Sequence, residues 1–345
     1  MNPRRWWIMM LGLIGAAALL TWGFMITAPT RMYVSTRLQM GTLVSISTWG
    51  VEENKADRAM DLAFEEIGRI EAMMSRFMPE SAVAHLNQAP RGEPHAVPEE
   101  LIGVIERGVE MGRLTRGAFD IGIAPLSDVW GFSREPPPEA PPPTAAIHNW
   151  LDARNGLPDQ GITITPEQQI LLANTAVALD LGGIAKGYAV ERALEVLQRA
   201  GVANALINAG GDMRIAGAKG GQPWHIGLRD PRNPEGVVAV MDVAGSRAIS
   251  TSGDYERYFM SDGVRYHHIL DPKLGAPARS GLISVTVQAA DSMTADALST
   301  ALFVLGGEEG LKLLRHFPGS EAFLIRADGT FIKTPGFIGT KAAPR

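Results

Sequence analysis

The chain has 345 residues, 46% hydrophobic and 20% charged, enough to bury one large core or two moderate ones without covalent staples. Its 32 basic and 37 acidic residues leave a net charge of -5, which argues against a nucleic-acid partner, because counterion release needs a basic surface. No cysteine is present, so disulfides, zinc-thiolate sites, iron–sulfur clusters and cysteine nucleophiles are excluded.

Arg4 and Arg5 precede the uncharged run WWIMMLGLIGAAALLTWGFMITAPT at residues 6–30. A helix of that length crosses a hydrocarbon core of about 30 Å, so the run predicts one N-terminal transmembrane helix. Its length, with Trp6, Trp7 and Trp22 along it, favours an uncleaved anchor over a cleaved signal, and the paired arginines put the N-terminus in the cytoplasm. Residues 1–32 are therefore expected to anchor the chain in the inner membrane, with residues 33–340 as a domain on the periplasmic side.

Residues 38–47, LQMGTLVSIS, alternate as a strand with a Met-Gly break near its start. Ala59, Leu62, Ala63, Ile67 and Ile70 recur every three or four residues and predict an amphipathic helix over 55–74. A second helix is expected at 98–115, where Pro98 and the acids Glu99 and Glu100 suit the unpaired amides of a first turn. The run EPPPEAPPP at 135–143 fits neither ladder nor helix and reads as an extended surface loop. Helices follow at 144–155 and 185–200, with a hairpin around 161–180 between them. Short strands are predicted at 203–209, 211–216, 223–229, 237–243, 264–270 and 281–288, then a helix at 294–305, a further helix and a terminal strand pair. Helices interspersed among short strands without βαβ alternation predict an α+β fold of mixed, largely antiparallel sheets packed with helices.

Chemistry concentrates in a few stretches. LDLGGIAKGYAVERAL at 179–194 is neither a Walker loop nor a dinucleotide fingerprint, because its glycines and lysine have the wrong spacing for both. What it offers is generic: glycines that admit close backbone approach, a helix N-terminus, and the charge of Lys186. In MTADALSTALFVLG at 293–306, Asp296 and Thr300 lie four apart on one helix face, a pair of hard oxygen donors that suits magnesium better than zinc, or else ordinary surface polarity. Of His267 and His268, adjacent in a strand, at most one can face a given site. Gly210-Gly211-Asp212 and Ser252-Gly253-Asp254 read as turns that are also able to surround phosphates.

Nine segments, in order, resemble the ApbE family of FAD:protein FMN transferases: MGTLVSI, MSRFMPESAVAHLN, GAFDIGIAPLSDVWGF, LDLGGIAKGYAVERAL, INAGGDMRIAG, WHIGLRDP, AISTSGDYERYF, HHILDPKLG and MTADALSTALFVLG. The resemblance implies two lobes with an FAD cleft between them, and a magnesium-dependent enzyme that attaches FMN to a threonine or serine hydroxyl of a partner protein and releases AMP. Typical partners are acceptor flavoproteins of membrane redox complexes. It places Met40, Phe77, Ala118, Phe119, Asp120, Asp180, Lys186 and Ile269 around FAD. It assigns magnesium to the Gly183 carbonyl with Asp296 and Thr300, and leaves Asp296 and His268 as alternative bases. Two other activities fit the same segments: an FAD pyrophosphatase releasing free FMN and AMP, and a non-catalytic flavin-binding protein.

Overall fold

A computed structural model describes residues 31–342. The described chain begins with a hairpin of β1 (Met32–Gln39) and β2 (Thr42–Trp49), then α1 (Glu53–Met74) and α2 (Ala82–Gln88). Strand β3 (Pro94–Ala96) and α3 (Glu99–Leu114) lead to α4 (Ala124–Trp130), α5 (Thr144–Arg154), β4 (Ile162–Ile164) and β5 (Gln169–Leu172). Helix α6 (Ala185–Arg199) opens the strand-rich half: β6 (Asn204–Ala209), β7 (Asp212–Ala216), β8 (Trp224–Arg229), β9 (Val237–Val243) and β10 (Arg247–Gly253). After the hairpin of β11 (Tyr258–Ser261) and β12 (Val264–His267) come β13 (Leu270–Asp271), β14 (Ala276–Pro277) and β15 (Leu282–Ala289). Helix α7 (Ser292–Leu314) precedes β16 (Glu321–Arg326), β17 (Phe331–Lys333) and β18 (Thr340–Lys341).

One eight-stranded sheet, ordered β1-β2-β6-β7-β10-β15-β16-β17 and antiparallel at every pairing, organises the molecule. Side chains alternate across a strand, so each strand serves two cores. Val44, Ile46, Ile207, Val285 and Leu324 pack with α1, α3, α6 and α7, whereas Met213, Ile215, Ile249, Ile283 and Phe323 pack against the three-stranded sheet β8-β9-β18. Strand β15, an interior strand between β10 and β16, is buried along its whole length.

Helix α1 buries Ala59, Met60, Ala63, Phe64, Ile67 and Ile70 as one stripe, close to the face its periodicity predicted, except that Leu62 is exposed. The expected helices at 98–115, 144–155 and 185–200 form with ends shifted by at most one residue. The helix expected at 294–305 and its successor run on in α7, separated only by Gly306 at φ 82°, ψ 179°.

The structure departs from expectation elsewhere. Residues 32–39 are a full strand, and the Met-Gly break is the hairpin turn, with Met40 at φ 52° and Gly41 at φ 69°. Ser252-Gly253, expected to begin a turn, instead end β10 in the main sheet. Residues 179–181 belong to no strand, and the segment at 264–270 divides into β12 and the short β13. The transmembrane helix and the inner-membrane, periplasmic placement built on it are corrected: no helix among the described residues is long and apolar enough to cross a membrane. Residues 6–30, on which that expectation rested, lie outside the described residues.

One glycine governs how the two central helices meet. A Cβ on Gly187 of α6 would stand 2.4 Å from the Ser292 carbonyl oxygen and 3.0 Å from the Asp296 Cβ, so α7 approaches as closely as it does only because no side chain intervenes. Ordinarily Gly→Ala within a helix stabilises by about 1 kcal/mol. Here the overpacking, worth about 1–3 kcal/mol, outweighs that gain. Gly187→Ala is expected to lower the urea midpoint; an unchanged or higher midpoint would refute the tight α6–α7 contact.

Candidate active site

A cleft of about 630 Å³ is lined by the β1–β2 turn, the end of α1, residues 118–120, the start of α6, β7, β10 and the segment 268–272, with α7 beneath. Its floor is a cluster of charges. Lys186 sits in the first turn of α6, where the helix dipole disfavours a cation. Two carboxylates reverse that balance: Asp212 Oδ2 lies 2.7 Å and Asp296 Oδ1 3.8 Å from the Lys186 Nζ. Burial works against the ammonium, yet these two neighbours hold its pKa above the ordinary lysine value.

Asp296 is 3% exposed and projects from α7, whose own N-terminus is capped by Asp291 accepting from the Thr294 amide at 2.8 Å. Its Oδ2 accepts the Gly187 amide hydrogen at 3.0 Å. Helix α6 has no side-chain cap of its own at Ile184, so Asp296 satisfies one of its first-turn amides from another helix. Burial and the nearby Asp212 push the Asp296 carboxyl well above the usual carboxylate range, and Lys186 and the Gly187 amide only partly restrain it.

A chain of hydroxyls runs beside the cluster. Ser250 Oγ donates to Asp212, Ser252 Oγ lies 2.7 Å from Ser299 Oγ and 3.2 Å from Thr300 Oγ1, and Ser299 Oγ donates to the Asp296 carbonyl at 2.9 Å. Gly183 faces this group: a Cβ there would stand 3.6 Å from Thr300 Oγ1 and 3.0 Å from the Phe119 ring.

The sequence-derived residues converge on this cleft, each of them lining it. Met40 is held at the mouth by its hairpin turn. Phe77 is 59% exposed, with the Arg76 guanidinium 4.4 Å from its ring centre. Ala118, Phe119 and Ile269 are buried in the wall. Asp180 pairs with Arg76 at 3.1 Å and accepts the Gly182 amide at 3.0 Å, which shapes the loop leading into α6. Asp120 is committed elsewhere, ion-paired with Arg154 and accepting the Gly122 amide at 2.7 Å; burial raises its pKa against the pull of Arg154.

The histidine pair divides as strand geometry requires. His267 is buried, its Nε2 donating to the Ala278 carbonyl at 3.0 Å, while His268 lines the cleft. His268 Nδ1 lies 3.3 Å from the Arg257 carbonyl, which only accepts, so Nδ1 carries the proton and Nε2 the lone pair. Burial and the Arg257 charge push the His268 pKa down to about 4, leaving the ring neutral near pH 7.

From sequence, Asp212 and Ser252 stand only within turns able to surround phosphates, and Arg257 has no assigned role. The two Gly-Asp stretches gave the location, but a turn signal carries no information about which carboxylate faces a lysine across the sheet. Arg257 is distinctive: of the three basic side chains lining the cleft, Arg76 and Lys186 have carboxylate partners and Arg257 has none among the described residues. Its neighbours Asp254 and Glu256 are engaged by Arg232, Arg265 and Arg229. Against three bases stand six carboxylates, Glu71, Asp120, Asp180, Asp212, Glu256 and Asp296.

Comparison with known proteins places the chain. A model of the ApbE family matches residues 40–324. The FAD:protein FMN transferase of Vibrio cholerae is 34% identical over 286 residues, which cover 82% of this chain and 83% of that relative. That of Rhodobacter capsulatus is 33% identical over 90% of this chain, and the match spans 58% of the relative's length. The crystal structure of the ApbE protein of Thermotoga maritima superposes with a TM-score of 0.80 at 36% identity, covering 88% of this chain and 97% of that one. With a family match over most of its length and a shared fold around the cleft, the chain belongs to the ApbE family.

Proposed function

We propose that the cleft binds FAD and that the chain transfers its FMN portion to a threonine or serine hydroxyl of an acceptor flavoprotein, with magnesium bound beside Lys186. Flavin transfer is the activity that family membership gives the chain, and relatives over 30% identical across most of its length are FAD:protein FMN transferases. The observation that carries the finer reading is the Lys186–Asp212–Asp296 cluster, set at a helix N-terminus inside a cleft large enough for a dinucleotide.

The donor set fits a divalent ion. Among the described residues no three His, Cys, Asp or Glu side chains converge as a metal site. Magnesium does not require such a cluster: it takes one or two carboxylates with other oxygens and substrate phosphates. The Asp296 carboxylate, the Thr300 hydroxyl one turn later and the Gly183 carbonyl are donors of that kind. Lys186 is already held by Asp212 and Asp296, which gives a physical reason for the ion: a pyrophosphate beside that cluster meets two carboxylates whose charge a divalent ion would offset. When bound, the metal would neutralise charge developing on the transferred phosphoryl group.

The chain's own groups then have separate tasks. Lys186 and Arg257 face the pyrophosphate, with Arg257 supplying the positive charge that no carboxylate already holds. The acceptor hydroxyl oxygen attacks the phosphorus of the FMN half, the bond to the bridging oxygen breaks, AMP leaves, and the hydroxyl proton passes to a base. His268 offers an unprotonated Nε2 for that proton. Asp296, the other candidate, already spends one oxygen on the Gly187 amide.

Incubating the full chain with FAD, Mg²⁺ and a flavin-domain acceptor should add the mass of FMN to the acceptor, and Asp296→Asn should remove that gain. Free FMN and AMP with an unmodified acceptor would instead establish hydrolysis, and retained FAD would establish storage. Arg257→Ala should lower kcat by about 10²-fold, the usual loss for one charge-stabilising donor. A variant that changes only KM would take Arg257 out of the transition state. With His268 unprotonated down to about pH 4, its titration should add no acid limb to transfer above about pH 5. An acid limb near pH 6.5 that disappears in His268→Gln would contradict the depressed pKa.

A further inference from the structure

We infer that Ser252 is a positioning residue, which fixes the Thr300 hydroxyl as an oxygen acceptor turned toward a cation rather than a donor turned toward phosphate. The inference rests on the reading that Asp296, Thr300 and the Gly183 carbonyl hold a divalent ion.

Hydrogen placement along the hydroxyl chain is forced from its inner end. A carbonyl oxygen only accepts, so Ser299 Oγ donates to the Asp296 carbonyl at 2.9 Å. The other partner of Ser299, Ser250 Oγ at 3.2 Å, has its own hydrogen on the Asp212 carboxylate and can only accept as well. Whichever inner acceptor Ser299 uses, its hydrogen is unavailable to Ser252. The 2.7 Å contact between Ser252 and Ser299 is then a donation from Ser252. Ser252 has one hydrogen, so the 3.2 Å contact with Thr300 is a donation from Thr300.

Every hydroxyl in the series donates inward, and Thr300 is left with lone pairs that no described protein group claims. Thr300 lines the cleft, so the lone pairs are the part of the hydroxyl a ligand there meets. A phosphate oxygen needs a donor and gains nothing from such a group; a magnesium ion needs an acceptor oxygen. Ser252 can impose this polarity because it is held in the ladder of β10, opposite Val285 of β15. Without it, the Thr300 hydrogen is free to rotate into the cleft.

The test is Mn²⁺ binding to the full chain without FAD, followed by the electron paramagnetic resonance of free Mn²⁺. Ser252→Ala should raise the Mn²⁺ Kd about fivefold, the value of one net hydrogen bond, with Ser252→Thr restoring most of the affinity. Ser299→Ala, a substitution that helix propensity favours, should weaken Mn²⁺ binding in the same direction and guards against misfolding of the β10 variants. A merely structural role would shift the unfolding midpoint and leave Mn²⁺ affinity untouched, which would overturn the inference. If Thr300→Val weakens Mn²⁺ binding and neither Ser252→Ala nor Ser299→Ala does, the relay is wrong while the cation site stands. If Asp296→Asn and Thr300→Val both leave Mn²⁺ binding unchanged, the cation site itself falls, and the inference with it.

Discussion

Two buried carboxylates share one ammonium at the centre of this protein, and the placement of the surrounding elements follows from that constraint. Removing charges from water costs several kcal/mol per ion, and the cost is offset only where geometry and extra hydrogen bonds are good. Each member here has such support. Asp212 also accepts from Ser250, Asp296 accepts the Gly187 amide, and Lys186 donates to the Gly182 carbonyl at 3.2 Å. The same bonds join three elements remote in sequence: the N-terminus of α6, the start of β7 and the second turn of α7. A substitution that loosens the α6–α7 approach therefore also disturbs the charge cluster.

The scaffold separates rigid chemistry from adaptable recognition. Asp212, Ser250 and Ser252 lie on β7 and β10, interior strands of the main sheet with packed cores on both sides. Asp296, Ser299 and Thr300 stand on a helix that is almost wholly buried over its first half. Groups that must hold a hydroxyl direction or a metal-oxygen geometry gain from that rigidity. Met40, Phe77, Arg257 and His268 come from turns and strand ends at the mouth, where backbone can adjust to a large ligand.

What the sequence disclosed and what it hid divide along a physical line. Helices with a one-sided apolar stripe, such as α1 and α6, are encoded locally, because burial of one face imposes a period of 3.6. Strand β10 was hidden because AISTSG places small hydroxyl residues where apolar alternation is expected; Ser250 and Ser252 bond to Ser299 and Thr300 of α7 and to Asp212 instead of filling a core. Asp296 and Thr300 were legible as a pair, since helical spacing alone puts them on one face. The Lys186 and Asp212 pairing was not, because it depends on how β7 sits beside α6, a tertiary fact with no local trace. Family resemblance supplied the set of cleft residues that spacing could not.

The sign of the cleft's charge bears on which flavin chemistry the protein performs. A protein that only stored FAD would be served by a basic phosphate cradle, since each carboxylate near a pyrophosphate weakens retention. This cleft instead sets two carboxylates on its buried lysine and, among the described residues, leaves only the Arg257 guanidinium of its lining bases without a carboxylate partner. Under the proposed reading, tight FAD binding then requires the divalent ion, and by linkage FAD strengthens binding of the ion to the same degree. An ion held by Asp296, Thr300 and the Gly183 carbonyl would supply positive charge to the phosphoryl group, which would favour the transition state over the resting nucleotide.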